Sequence, residues 1–327
     1  MTPLLSRLLP DIPDRFRAVL LVAALFGIFL TVDQQHWWRT KPDYTFGWLV
    51  PAFVVYVVVD RWVRVKAVFE VSGPSPLKTA TRVGLDLVAG AALGMGLLFF
   101  LMGALYRGTS GVTQPGSLAL ALGFAALLLG MVYFNVPSGR LATPPVPGWF
   151  MNLRSDARVR AVSLFLFPAL IWVLSAPLVT AVENAISLFL LRQVVTVDFF
   201  VFNMLGYPLV QQGNVLILPR GQVGVADACS GIRSLTACLF AGSFLAAIFL
   251  DRLWKKVLLV GVAMGLAFFT NLLRSLFLTA WAYAYGSEAI EGTLHDATGF
   301  AILGLTCAGL FCLLPLFNAA NWQRWIG

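Results

Sequence analysis

The sequence predicts an all-α, polytopic membrane protein of about eight transmembrane helices, and three observations predict it. Of its 327 residues, 59% are hydrophobic and 12% charged, with a mean hydropathy of +0.84. Several apolar runs reach about 17 residues or more, which is enough to cross a hydrocarbon core. The runs are continuous rather than alternating, so the backbone has to satisfy itself in helices and not in a barrel.

Residues 1 to 14 carry Leu4, Leu5, Leu8, Leu9 and three prolines, and suit the membrane surface. Helix 1 is expected from Phe16 to Val32. It is followed by a loop whose Trp37 and Trp38 serve as interfacial anchors beside Arg39 and Lys41. Helix 2 covers Tyr44 to Val59, helix 3 Val83 to Tyr106, and helix 4 Ser117 to Val136. A Pro-rich loop through Trp149 leads to helix 5, starting near Ala161. The stretch 176–228 breaks the pattern: an apolar segment, Ala181 to Phe189, is interrupted by Glu183 and Asn184 and reads as bent or interfacial. Phe199 to Leu218 mixes β-formers with Gly206, Pro208 and Gly213 and reads as a small extended element, a hairpin in outline. Helix 6 then runs from Ser230 to Leu250, helix 7 from Val257 to Tyr285, and helix 8 from Ala297 to Phe317. No internal repeat stands out. No small-residue cleavage site follows the first apolar run, so a cleaved signal peptide is not expected. The whole chain, 1–327, reads as a single integral-membrane domain.

The net charge of +8 does not read as a nucleic-acid footprint, because the basic residues are scattered through short loops. Their distribution is topological. The N-terminus, the loops after helices 2, 4 and 6, and the C-terminal end hold 16 of the 23 Lys and Arg residues, against 5 on the opposite side. By the positive-inside rule both termini are cytoplasmic, in the inner membrane of a cell. The segment before Cys229 and the loop holding His295 are then outside.

Depth along each helix follows from the rise per residue. Cys229 lies 22 residues before Asp251, or about 33 Å from the inner boundary. Arg274 lies 18 residues beyond Lys256, or about 27 Å. His295 lies 23 residues before Asn318, or about 35 Å. Three helices therefore deliver a thiol, a guanidinium and an imidazole to one outer layer.

The residue types suit covalent chemistry. Cys229 stands in Asp227-Ala-Cys-Ser-Gly231 at a helix start, where backbone amides and the dipole favour a thiolate, and Arg233 shares its face. Arg274 is a cation deep in an apolar run, a costly placement usually kept for function, with Asn271 one turn away as a partner. His295, beside Asp296 at the head of a helix, is placed to act as a base. A thiol, a base and a cation make the minimum set for acyl transfer. Ser230 competes as nucleophile but lacks the Gly-x-Ser-x-Gly elbow. Neither His-Glu-x-x-His nor a Cys/His cluster appears, and there is no Gly-rich phosphate loop, so neither a metal nor another cofactor is expected. Cys238, Cys307 and Cys312 read as small core residues, and His36 as loop surface.

Three motifs resemble the exosortase/archaeosortase family of membrane cysteine transpeptidase-proteases: Ala228-Cys229-Ser230-Gly231-Ile232-Arg233-Ser234, Asn271-Leu-Leu-Arg274 and His295-Asp296-Ala-Thr-Gly299. The approach Gly213-Asn-Val-Leu-Ile-Leu-Pro-Arg-Gly221 to Val225 is also similar, and so is Tyr44-Thr-Phe-Gly-Trp-Leu-Val-Pro51, although Phe46 stands where the family often has a histidine. The resemblance covers about residues 40–317. It implies Cys229 as nucleophile, Arg274 as stabiliser and His295 as acid/base. It further implies substrates that are membrane-anchored proteins with a C-terminal tag: a short Pro-Glu-Pro-like motif, one transmembrane helix and a basic tail. Residues alone support only an outer-face thiol site. An acyltransferase using the same thiol, or a transporter or scaffold binding an anion at Arg274, are the other readings. Transport, however, predicts polar groups at the membrane midplane rather than crowded at one boundary.

Overall fold

The structure, a computed structural model, describes residues 12–142, 151–219, 221–224, 232–250, 252–290 and 292–326, with backbone alone for 295, 296 and 318–326. The expected surface segment before residue 12 lies mostly outside the described residues, as do the tip of the Pro-rich loop (143–150) and Cys229, Ser230 and Gly231. The chain is mostly helical. Among the described residues, nine helices are long and apolar enough to cross a membrane. They are α1 (Asp14–Thr40), α2 (Val50–Asp60, entered through a 3-10 helix at Pro42–Leu49), α3 (Thr79–Ser110), α4 (Gln114–Asn135), α5 (Ala157–Ser175), α6 (Thr180–Met204), α7 (Ile232–Phe249), α8 (Leu253–Tyr285) and α9 (Thr293–Ile326).

The count exceeds the expected eight because of α6. The apolar segment expected to bend near Glu183 is the start of a continuous 25-residue helix. Its charged residues do not end it. Asp198, the deepest of them, is held by hydroxyl groups of a neighbouring helix, as set out below. The extended element expected over Phe199 to Leu218 begins later and is a three-stranded antiparallel sheet: β3 (Val210–Gln212), β4 (Val215–Leu218) and β5 (Gly221–Gly224). Gly213 opens the two-residue β3–β4 turn at φ +62°, a conformation that favours glycine. The tryptophans expected in a loop are instead in the last turns of α1. Trp38 is buried and donates its indole N–H to the carbonyl of Ser175 at 3.2 Å, and Trp37 donates to Ser117 Oγ at 2.9 Å. Their indole groups satisfy internal acceptors, so the helix continues to Thr40. His36 is exposed, as expected, but on that helix.

Contacts divide the chain into two compact units, residues 1–41 with 45–178, and residues 42–44 with 179–327. The first is built on the α3–α4 hairpin. Gly96 and Gly103 of α3 face Gly123 and Gly116 of α4 so closely that no side chain fits, and Gly130 of α4 lies against Leu93 of α3. A Cβ on Gly123 would lie 2.6 Å from the Phe100 nitrogen, and one on Gly103 would lie 2.8 Å from the Gly116 carbonyl. Small residues let lipid-embedded helices pack backbone to backbone. Thr113 caps α4, and the carboxylate of Asp156 caps α5 by accepting from the amides of Arg158 and Val159. Within this unit, buried Asp33 of α1 pairs with Arg107 of α3, and Gln34 bridges Trp172 and Ser175 of α5.

In the second unit, α6, the sheet and the C-terminal part of α8 share one core. Leu191, Val194, Val195 and Phe202 pack with Leu216, Val223, Leu278 and Ala282. A second core joins α7, α8 and α9 through Leu245, Leu259, Ala263 and Leu310. Gly242 makes the α7–α8 approach close, since a Cβ there would lie 2.7 Å from that of Ala263. Thr270 and Thr306 hydrogen-bond across α8 and α9 at 2.8 Å, a polar clasp between two apolar surfaces.

Candidate active site

The three helices that carry or follow the expected residues, α7, α8 and α9, all pack on one another within the second unit. Cys229 and its neighbours Ser230 and Gly231 lie outside the described residues, three or fewer positions before Ile232 opens α7. His295 and Asp296 lie in the first turn of α9; only their backbone is described.

Arg274 is described, and its position is informative. It is half-buried, and its Nε donates to Thr298 Oγ1 at 3.4 Å. Its Nη2 lies 3.5 Å from the point where a Cβ on Gly299 would stand. The guanidinium therefore rests on the opening turns of α9. Positions 298 and 299 follow 295 by three and four residues, the spacing that places helical residues on one face. Asn271 is buried one turn before Arg274 on α8. The hydrogen bond just described gives the arginine a partner across the helix interface.

Arg233, expected to support the thiol, is 67% exposed and directs Nε towards Asp43 Oδ1 at 3.4 Å. One turn on, Thr236 Oγ1 donates to the Asp43 carbonyl at 2.9 Å. Residues 42–44 thus belong with the second unit and anchor the start of α7. Sequence reasoning passed over Asp43, a carboxylate just ahead of the Tyr44 to Pro51 stretch. It also passed over Asp198, which signalled itself as an ionisable residue within an apolar run. Asp198 is fully buried, and its Oδ2 accepts from Ser275 Oγ at 2.6 Å and Thr279 Oγ1 at 3.3 Å, both on α8. The three remaining cysteines are free thiols: Cys238 buried, Cys307 half-buried and Cys312 exposed.

Comparison with known families gives a match to the transmembrane exosortase family over residues 37–312. The chain belongs to that family. The matched span includes Cys229, Arg274 and His295, and both the 3-10 lead-in to α2 and the sheet before the cysteine. No curated protein and no solved structure matches. As an exosortase with nine apolar helices among its described residues, it is a multi-pass membrane protein, and membership supports a membrane transpeptidase or protease role.

Proposed function

We propose that this exosortase cuts membrane-anchored substrate proteins at a C-terminal sorting signal, at the outer face of the cytoplasmic membrane, through a thioacyl-enzyme. The signal is a short Pro-Glu-Pro-like motif followed by one transmembrane helix and a basic tail. Cys229 is the nucleophile. Its thiolate sulfur bonds to the scissile carbonyl carbon, and Arg274 stabilises the negative charge that forms on the oxygen. The C–N bond then breaks, and His295 delivers a proton to the departing amine. An acceptor with its own labile proton, such as water, an amine or a hydroxyl, attacks the thioester and frees the thiol. Ser230, Gly231 and Arg233 shape the opening of α7, and Asn271 and Asp296 support Arg274 and His295.

One observation carries this reading: the Arg274 guanidinium lies against Thr298 and Gly299, one turn along α9 from position 295. A cation that reaches from one helix to the head of the next suits an oxyanion stabiliser better than one directed into lipid. Termini inside and site outside follow from the basic residues, which lie overwhelmingly on one side. The test is co-expression with a tagged substrate. Cys229→Ala and Arg274→Ala are expected to abolish cutting at unchanged expression, and Cys307→Ala to leave it intact. Equal loss in all three would trace the effect to folding and remove the site assignment.

A further inference from the structure

We propose that Asp198 is a positioning residue for Arg274, setting the rotation of α8 that aims the guanidinium at α9. The inference rests on the role given to Arg274 above. Asp198 is 0% exposed on α6, a helix of predominantly apolar surroundings, and such a carboxylate is costly to keep. Its neighbours are chosen with care: Ser275 and Thr279, at i and i+4, form one polar stripe on α8, and both donate to the same oxygen, Oδ2. The other oxygen, Oδ1, is buried without a partner among the described residues. A side chain retained only to join two helices would be replaced at lower cost by a hydrocarbon.

The stripe begins at the residue next to Arg274. Successive helical residues are turned by about 100°, so fixing Ser275 against α6 fixes the direction of Arg274 towards Thr298 and Gly299. Apolar contacts such as Val194 and Val195 with Leu278 hold the helices together but resist rotation weakly. Two hydrogen bonds to one carboxylate oxygen resist it strongly, because rotation would strand three polar groups in an apolar interior.

The experiment reads Arg274 directly, without relying on activity. Purified full-length protein in detergent is treated with phenylglyoxal, and modification at Arg274 and at Arg233 is followed by peptide mass spectrometry. In Asp198→Ala, Arg274 should be modified several times faster than in wild type, with Arg233 unchanged. Asp198→Asn, which retains an acceptor for Ser275, should restore most of the protection. Asp198→Leu with Ser275→Ala and Thr279→Val replaces the whole polar cluster by hydrocarbon; it is expected to fold even where Asp198→Ala does not, because no polar group is left stranded, and should expose Arg274 equally. In processing assays Asp198→Ala and the triple variant should lose up to about 100-fold in kcat with little change in KM, as expected of a misplaced stabilising group, and Asp198→Asn should recover most of it. Unchanged Arg274 modification in the folded triple variant would overturn the proposal. Faster modification together with an Arg274→Ala enzyme that still cuts would uphold the positioning role and sink the catalytic one.

Discussion

Arg274 touches α9 through its Nε on Thr298 and its Nη2 beside Gly299, and the second contact makes a prediction of its own. A methyl group at 299 would meet the guanidinium at 3.5 Å, an ordinary contact distance, whereas a branched side chain would occupy its place. Gly299→Ala is therefore expected to process substrate at close to the wild-type rate. Gly299→Leu should fall towards Arg274→Ala while the protein stays folded, as read by substrate gel mobility beside a detergent melting curve. Equal activity in the two variants would show that the guanidinium does not need this position. Arg274 and His295 stand out in the sequence as candidates because a cation in an apolar run and a histidine at a helix head are each uncommon. Thr298 was not legible, because a threonine in an apolar helix usually bonds to its own backbone and only packing reveals a partner on another helix.

Helix existence was legible and helix limits were not. Hydropathy finds α3, α4, α8 and α9, but α1 runs on past Val32 because Asp33, Gln34, Trp37 and Trp38 all find partners on neighbouring helices. A polar run that looks like a loop is then the tightest part of the helix. The same holds for α6, which runs on through Glu183 and Asn184, where the sequence reads as bent or interfacial. The glycines of α3 and α4 make the sharpest prediction at this scale. Gly123→Leu places a side chain where the Phe100 backbone already stands, 2.6 Å from the first added carbon. It should destabilise the protein by about 1–3 kcal/mol or more, the usual cost of overpacking, and lower its melting temperature in detergent. Gly94→Leu, on a position with nothing within 4 Å, is the control and should leave the melting temperature unchanged.

At the scale of the whole molecule, the charge pattern and the nine apolar helices among the described residues constrain each other. Arg154, Arg158 and Arg160 precede or begin α5, and Arg252, Lys255 and Lys256 lie at the start of α8. Three crossings between them, by α5, α6 and α7, would put these basic groups on opposite faces. Two crossings would keep both inside, so the proposed orientation predicts that α6 enters and leaves on the outer side. Cysteines placed at Leu178 and Tyr207, in a chain whose native cysteines are changed to alanine, should both react with an impermeant maleimide from outside. Labelling of one position only would establish nine crossings and reverse the orientation of the site. Composition alone identified the membrane class, but the number of crossings depends on how charges are compensated in three dimensions.

The central claim, that Cys229 forms a thioacyl bond to a cut substrate, is met most directly by mass. Wild-type protein and Cys229→Ser are each co-expressed with a tagged substrate, and the intact masses of substrate and enzyme are measured. The account predicts a product ending beside the motif in the wild type only, with its added mass giving the acceptor. Cutting that persists at the same site in Cys229→Ser, at the wild-type rate, would contradict it.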